Sequence, residues 1–141
     1  MKIAIGSDHG GYELKDMVMS YLQNNGHDVT DCGCTSLDSV DYPDFAEKVC
    51  SEVRSGSCDA GILICGTGIG MSIAANRYRD IRAALCHDSF TARMSREHNN
   101  ANVLCIGARV TGSEVALDMV GSWVNTDFAG GRHQLRLDKL S

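Results

Sequence analysis

The sequence predicts an α/β fold, with a five-stranded parallel sheet sandwiched between helices. Three observations lead there. Short apolar runs alternate with stretches of helical periodicity along the whole chain. The apolar runs (IAIG, GILIC, VLCIG) are continuous rather than alternating, the pattern of strands buried on both faces. Polar or glycine-rich turns close these runs at their carboxyl ends, where sheets of this kind bind ligands.

The elements follow in order. KIAIGSD (2–8) reads as a short buried strand ending in a turn. Leu14, Met17, Val18, Tyr21 and Leu22 recur at helical spacing over 12–23, and Gly26 is a plausible stop. His27 to Cys32 is short enough for a second strand. Pro43 opens a helix to about Arg54 with Phe45, Ala46, Val49, Cys50 and Val53 on one face. Ala60 to Cys65 is the third strand, followed by a glycine turn and a helix to about Asn76. Ile81 to Cys86 is the fourth strand, and Asp88 to Glu97 a polar helix. Val103 to Gly107 is the fifth strand, and Gly112 to Val124 the last long helix. The sum is a three-layer αβα, Rossmann-like arrangement, expected as a single domain over 1–141 with no internal repeat or linker.

Composition narrows the function classes. The net charge of −5 argues against a nucleic-acid surface. No apolar run is long enough to span a bilayer and no export signal opens the chain, so a cytoplasmic protein without membrane partners is expected. Seven cysteines could suggest disulfides, but the odd count and the lack of any CxxC pair point to reduced thiols. Cys86 and Cys105 lie in apolar runs and read as small core residues.

The candidate chemistry lies at the strand ends. Glycines 66, 68 and 70 make GxGxG, which is neither the dinucleotide GxGxxG nor a P-loop ending in Lys-Ser/Thr. Such a turn can present backbone N–H groups to an anion, or it can simply need unusual dihedrals. Cys65 sits at its mouth, as a packed thiol, a metal ligand, a nucleophile or a proton-transfer base. Asp8 and His9 end the first strand as two titratable neighbours, with a helix cap as the plainer reading of Asp8. His98 and Asn99 end the polar helix, where a solvated helix end is the commoner explanation. In the locally basic tail, Arg132 and Arg136 are four apart and would share a helix face, able to clamp a phosphate or simply to face water. Gly130 and Gly131 could hinge this tail over a neighbouring subunit. No HxxxH, HExxH or carboxylate cluster suggests a metal, and Cys32-x-Cys34 is too little for zinc, so no metal is expected.

Read together, SDHGG (7–11), DYP (41–43), CGTGIG (65–70), SREHN (95–99), NVLCIGAR (102–109) and GGRHQLR (130–136) closely resemble the ribose-5-phosphate isomerase B family, in order and over nearly the whole chain. The resemblance implies a cofactor-free aldose–ketose isomerase of the pentose phosphate pathway, interconverting ribose 5-phosphate and ribulose 5-phosphate through a cis-enediolate. By the family pattern Cys65 is the base, His98 opens the furanose ring with Asp8 assisting, and Thr67 bonds near the reacting end. The turn from Gly66 through Gly68 and Ile69 to Gly70 stabilises the enediolate oxygen. His9, Arg109, Arg132 and Arg136 hold the phosphate, while Tyr42 and Asn99 contact the sugar. The resemblance also implies homodimers with shared active sites, or homotetramers, with the tail at 130–141 contacting the partner.

Two rival readings differ in chemistry. An isomerase of the same fold could act on a six-carbon sugar phosphate such as allose 6-phosphate or galactose 6-phosphate. A non-catalytic phosphosugar-binding module would bind the same phosphate yet leave Cys65 and His98 unexplained.

Overall fold

The computed structural model describes residues 1–140, so the last residue of the expected tail, Ser141, lies outside the described part. Its elements are β1 (Lys2–Ser7), α1 (Tyr12–Asn24), β2 (Asp28–Asp31), α2 (Tyr42–Arg54), β3 (Ala60–Cys65), α3 (Ile69–Ala75), β4 (Ala83–Leu85), α4 (Ser89–Glu97), β5 (Val103–Gly107), α5 (Ser113–Val124) and α6 (Arg132–Leu137). A 3₁₀ turn over His9–Gly11 joins β1 to α1.

All four strand pairings are parallel, in the order β2-β1-β3-β5-β4. The order reverses between β1 and β3, so the crevice beyond their carboxyl ends is the switch point at which such sheets bind ligands. Alternate residues of β3 feed two cores. Ile62 and Ile64 join Leu14, Val18, Met119, Val120 and Trp123 under α1, α4 and α5, whereas Leu63 and Cys65 join Val49, Cys50, Met71 and Ala75 under α2 and α3. All six residues of β3 are buried, as its unbroken apolar run requires. The three-layer expectation holds.

The differences lie at the sheet edges. β4 covers only Ala83–Leu85 rather than 81–86, because it is an edge strand with β5 as its one partner. Its flank is tied instead by side chains: the Arg82 amide donates to Asn102 Oδ1 at 2.8 Å. β2, the other edge, covers Asp28–Asp31 rather than 27–32, although the Cys32 amide still reaches the Ile5 carbonyl at 2.8 Å. All seven cysteines are free thiols, and Cys86 and Cys105 are buried as expected.

One buried charge braces the edge beside the switch point. Lys15 is 1 % exposed, and its Nζ donates to Asp31 Oδ1 at 2.7 Å. The same oxygen accepts from the Gly33 amide at 2.9 Å, and the Gly33 carbonyl accepts from the Ser7 amide at 2.7 Å. This chain of contacts leads to the residue before Asp8.

Candidate active site

Cys65 ends β3 with its side chain turned toward α2 and α3, 5 % exposed. Gly68 adopts φ +79, which turns the chain so that its amide donates back to Cys65 Sγ at 3.1 Å. The sulfur is thus held by a backbone N–H at the mouth of the turn. α3 has only seven residues, so this direct donor matters more than the helix dipole. Just behind, burial holds the Cys105 thiol well above the usual thiol range, and Cys65, Cys50 and Cys86 add to the effect. Cys105 is therefore a neutral packing group.

Three neighbouring loops converge on this turn. Asp8 Oδ1 caps the 3₁₀ turn by accepting from the Gly10 and Gly11 amides at 2.9 and 3.2 Å, and Oδ2 makes no hydrogen bond among the described residues. A Cβ on Gly10 would lie 3.3 Å from the Gly66 amide nitrogen, so the first loop lies directly against the glycine turn. His9 Nδ1 accepts from the Val40 amide at 3.2 Å, which assigns the proton to Nε2 when the ring is neutral. Arg109 binds the turn through its own backbone, its amide donating to the Gly66 carbonyl at 2.9 Å, and its guanidinium lies beside Gly66. Tyr42, the first residue of α2, lays its ring against Gly70, where a Cβ would come within 2.7 Å of the ring. Thr67 is exposed, with Oγ1 accepting from the Ile69 amide at 3.2 Å, and Ile69 is 53 % exposed. Asp8, His9, Tyr42, Arg109 and Cys65 to Gly70 thus gather around one crevice.

The remaining candidates form a second cluster. His98 is the C-cap of α4, and its ring stacks on His133 of α6 with centroids 4.3 Å apart and planes 15° from parallel. Asn99, Arg132 and Arg136 join these two rings around a cavity of about 360 Å³. Arg132 and Arg136 share a face of α6, as their spacing predicted. Burial, together with His98, Arg132 and Arg136, holds the His133 imidazole below its ordinary range, while Glu97 pulls the other way.

The two clusters lie at opposite ends of the sheet. Cys65 pairs with Gly107 at the carboxyl end of β3 and β5, and Gly61 with Val103 at the amino end. The turn that follows His98 enters β5 at that amino end, where the Asn102 carbonyl accepts from the Gly61 amide at 2.9 Å. Gly61 and Cys65 are four residue steps apart, a strand length of about 13 Å.

Two residues gain roles that spacing did not assign. Arg96 braces the His98 turn by donating to the carbonyls of Thr126 and Ala101 and to Asn100 Oδ1. Burial lowers its affinity for its proton. His133 sits within the GGRHQ stretch, but its contact with His98 exists only because α6 docks there. Neither contact has a signal in the sequence.

A parallel α/β sheet with a thiol held by a backbone amide at its switch point, and a stacked imidazole pair beside two arginines elsewhere on the chain, has the make-up of an α/β enzyme whose site lies beyond the strand ends. Comparison with known proteins narrows the class. Residues 3–140 match the model of the Ribose/Galactose Isomerase family. Ribose-5-phosphate isomerase B of Escherichia coli is 45 % identical, over 99 % of this chain and 94 % of that one. D-erythrulose-4-phosphate isomerase of Pectobacterium atrosepticum is 41 % identical, over 99 % and 93 %. The solved structure of Clostridium thermocellum ribose-5-phosphate isomerase B superposes with a TM-score of 0.98 at 56 % identity, over 99 % of this chain and 95 % of that one. The chain belongs to the Ribose/Galactose Isomerase family, and it is an isomerase.

Proposed function

We propose that the protein interconverts D-ribose 5-phosphate and D-ribulose 5-phosphate through a cis-enediolate, with Cys65 as the base. The observation that carries the reading is the Gly68 amide on Cys65 Sγ, inside a turn of further amides. Aldose–ketose isomerisation moves a proton from C2 to C1 while negative charge develops on oxygen. It therefore needs a base and preorganised N–H donors in one place. Cys65 takes the C2 proton of the open-chain aldose and delivers it to C1. The turn from Gly66 to Gly70 stabilises the enediolate oxygen, and Thr67 hydrogen-bonds at the reacting end. Tyr42 closes one wall over Gly70. Asp8 offers its free oxygen to the sugar.

Ring opening is assigned to His98, and Asn99 contacts the sugar. A group that handles the anomeric hydroxyl must work within hydrogen-bond reach of atoms adjacent to those that Cys65 handles. The strand length of about 13 Å between the two ends of β3 supports a site to which two copies contribute. A second copy of the chain, presenting its His98 end to the Cys65 end, completes the site. A two-fold arrangement then makes two equal sites. The same pairing brings Arg132 and Arg136 to the crevice where His9 and Arg109 wait, four groups suited to one phosphate dianion.

Proton NMR of ribose 5-phosphate in D₂O with the wild-type protein and with Cys65→Ala tests this. Ketose formation that vanishes in the variant supports the assignment. A folded wild type that is silent here but turns over a four-carbon or six-carbon sugar phosphate keeps the mechanism and replaces the substrate. Silence toward all of them leaves a phosphosugar-binding module.

A further inference from the structure

The His98–His133 stack is the feature that the proposed chemistry leaves unused. As a C-cap residue, His98 projects from a turn, and its nearest acidic atom, Glu97 Oε1, is 4.0 Å from Nε2. That distance is too long for a hydrogen bond that would fix a ring. The His133 ring at 4.3 Å is the contact that sets its plane. α6 is itself held to α4: the Ala129 amide donates to the Glu97 carbonyl at 3.0 Å, and Gly130 and Gly131, at φ +69 and +57, turn the chain so that His133 faces His98.

Resting on the ring-opening role assigned above, we propose that His133 is a positioning residue for that step. It holds the His98 imidazole by a face-to-face stack. Within one copy, the charged groups facing the pair are Glu97 from α4 and Arg132 and Arg136 from α6. A proton on His133 would add positive charge beside two guanidinium groups and the stacked His98 ring, with one carboxylate to offset it, so the positioning ring is held neutral more readily than a free imidazole. A ring that opens a furanose must first be able to accept a proton. In the step itself the anomeric O–H and C1–O4 bonds break, and a C1=O bond and an O4–H bond form. His98 carries the proton between the two oxygens, and no other reactant is needed. The lowered proton affinity of His133 agrees with this arrangement.

Ribulose 5-phosphate has no free hydroxyl that can close a furanose ring. Exchange of its C1 proton with D₂O therefore reports the Cys65 step without ring opening. The experiment measures kcat on ribose 5-phosphate and this exchange for wild type, His133→Ala and His133→Phe, alongside imidazole NMR titrations. His133→Ala should lower kcat about tenfold with exchange within about twofold of wild type, and the stacking ring of His133→Phe should restore most of the loss. His133 should titrate at higher pH in His98→Gln than in wild type. Equal losses in kcat and exchange, no loss in either, or an unmoved titration would overturn the proposal while the isomerase reading stands. A wild type without isomerase activity removes that reading, and this proposal falls with it.

Discussion

The Gly68 amide donates to Cys65 Sγ at 3.1 Å, so the backbone that shapes the turn also solvates the sulfur. If that sulfur is the base, Cys65→Ala should keep KM within about threefold and lower kcat by about a thousandfold or more. Steady-state kinetics on ribose 5-phosphate reads both. Residual turnover near the wild-type rate would remove Cys65 from the mechanism.

Gly68→Ala tests the turn rather than the thiol. The position has φ +79, and a Cβ would lie 2.5 Å from Leu85 Cδ1 and 2.9 Å from the Ile106 carbonyl carbon. Strain and overpacking together should cost about 2–4 kcal/mol, visible as a lower urea midpoint at an unchanged m-value. A variant as stable as wild type would show that the turn relaxes freely.

Sharing of the site between copies has a direct test in mixed subunits. Cys65→Ala and His98→Ala should each be nearly inactive alone. Co-expressed, they should recover about a quarter of wild-type activity, because half of random dimers are mixed and each mixed dimer holds one intact site. A mixture no more active than its components would put both groups in one copy.

The Lys15–Asp31 pair predicts an asymmetry in stability. Lys15 is 1 % exposed and the Asp31 side chain 40 %. Asp31→Ala strands a buried ammonium and should cost about 2–4 kcal/mol, discounted for the half-open partner. Lys15→Met leaves a carboxylate that water can reach and should cost about 1 kcal/mol. Denaturant melts of the two variants check the order, and the reverse order would mean that Lys15 contributes mainly as a packed alkyl chain.

The thiols should separate by reactivity with pH. Burial first, and then for Cys32 the charge of Glu52, Cys58 and Asp31, pushes Cys32 and Cys50 up to about 11. Below that pH both are held as thiols, and only the thiolate attacks iodoacetamide. At pH 8 mass spectrometry should find Cys65 modified first, in step with loss of activity and more slowly in the presence of ribose 5-phosphate. Their alkylation should rise only as pH climbs toward 11. Early labelling of Cys32 would contradict the shift.

Much of the fold was legible because its strands are buried on both faces. β3 and β5 match their apolar runs residue for residue, since no other environment suits GILIC and VLCIG. The edge strands β2 and β4 came out shorter than expected, because residue types along a segment do not reveal whether a second neighbour is present to pair with it. The spacing said that Arg132 and Arg136 would share a face if the tail were helical, and α6 supplies that helix.

By itself, the sequence determined the chemistry on offer: a thiol before GxGxG, an Asp-His pair closing β1, a His-Asn pair closing α4 and a basic tail. Local residue types dictate turns, caps and apolar faces, and those survive without knowledge of the fold. Only the tertiary structure decided how these parts divide. The parallel crossovers carry the chain back to the amino edge after every helix, so His98 and α6 stand one strand length from Cys65. Docking of α6 on the end of α4 made a stacked imidazole pair of two residues 35 positions apart. Such contacts depend on which surfaces meet in space, and spacing along the chain carries no record of that.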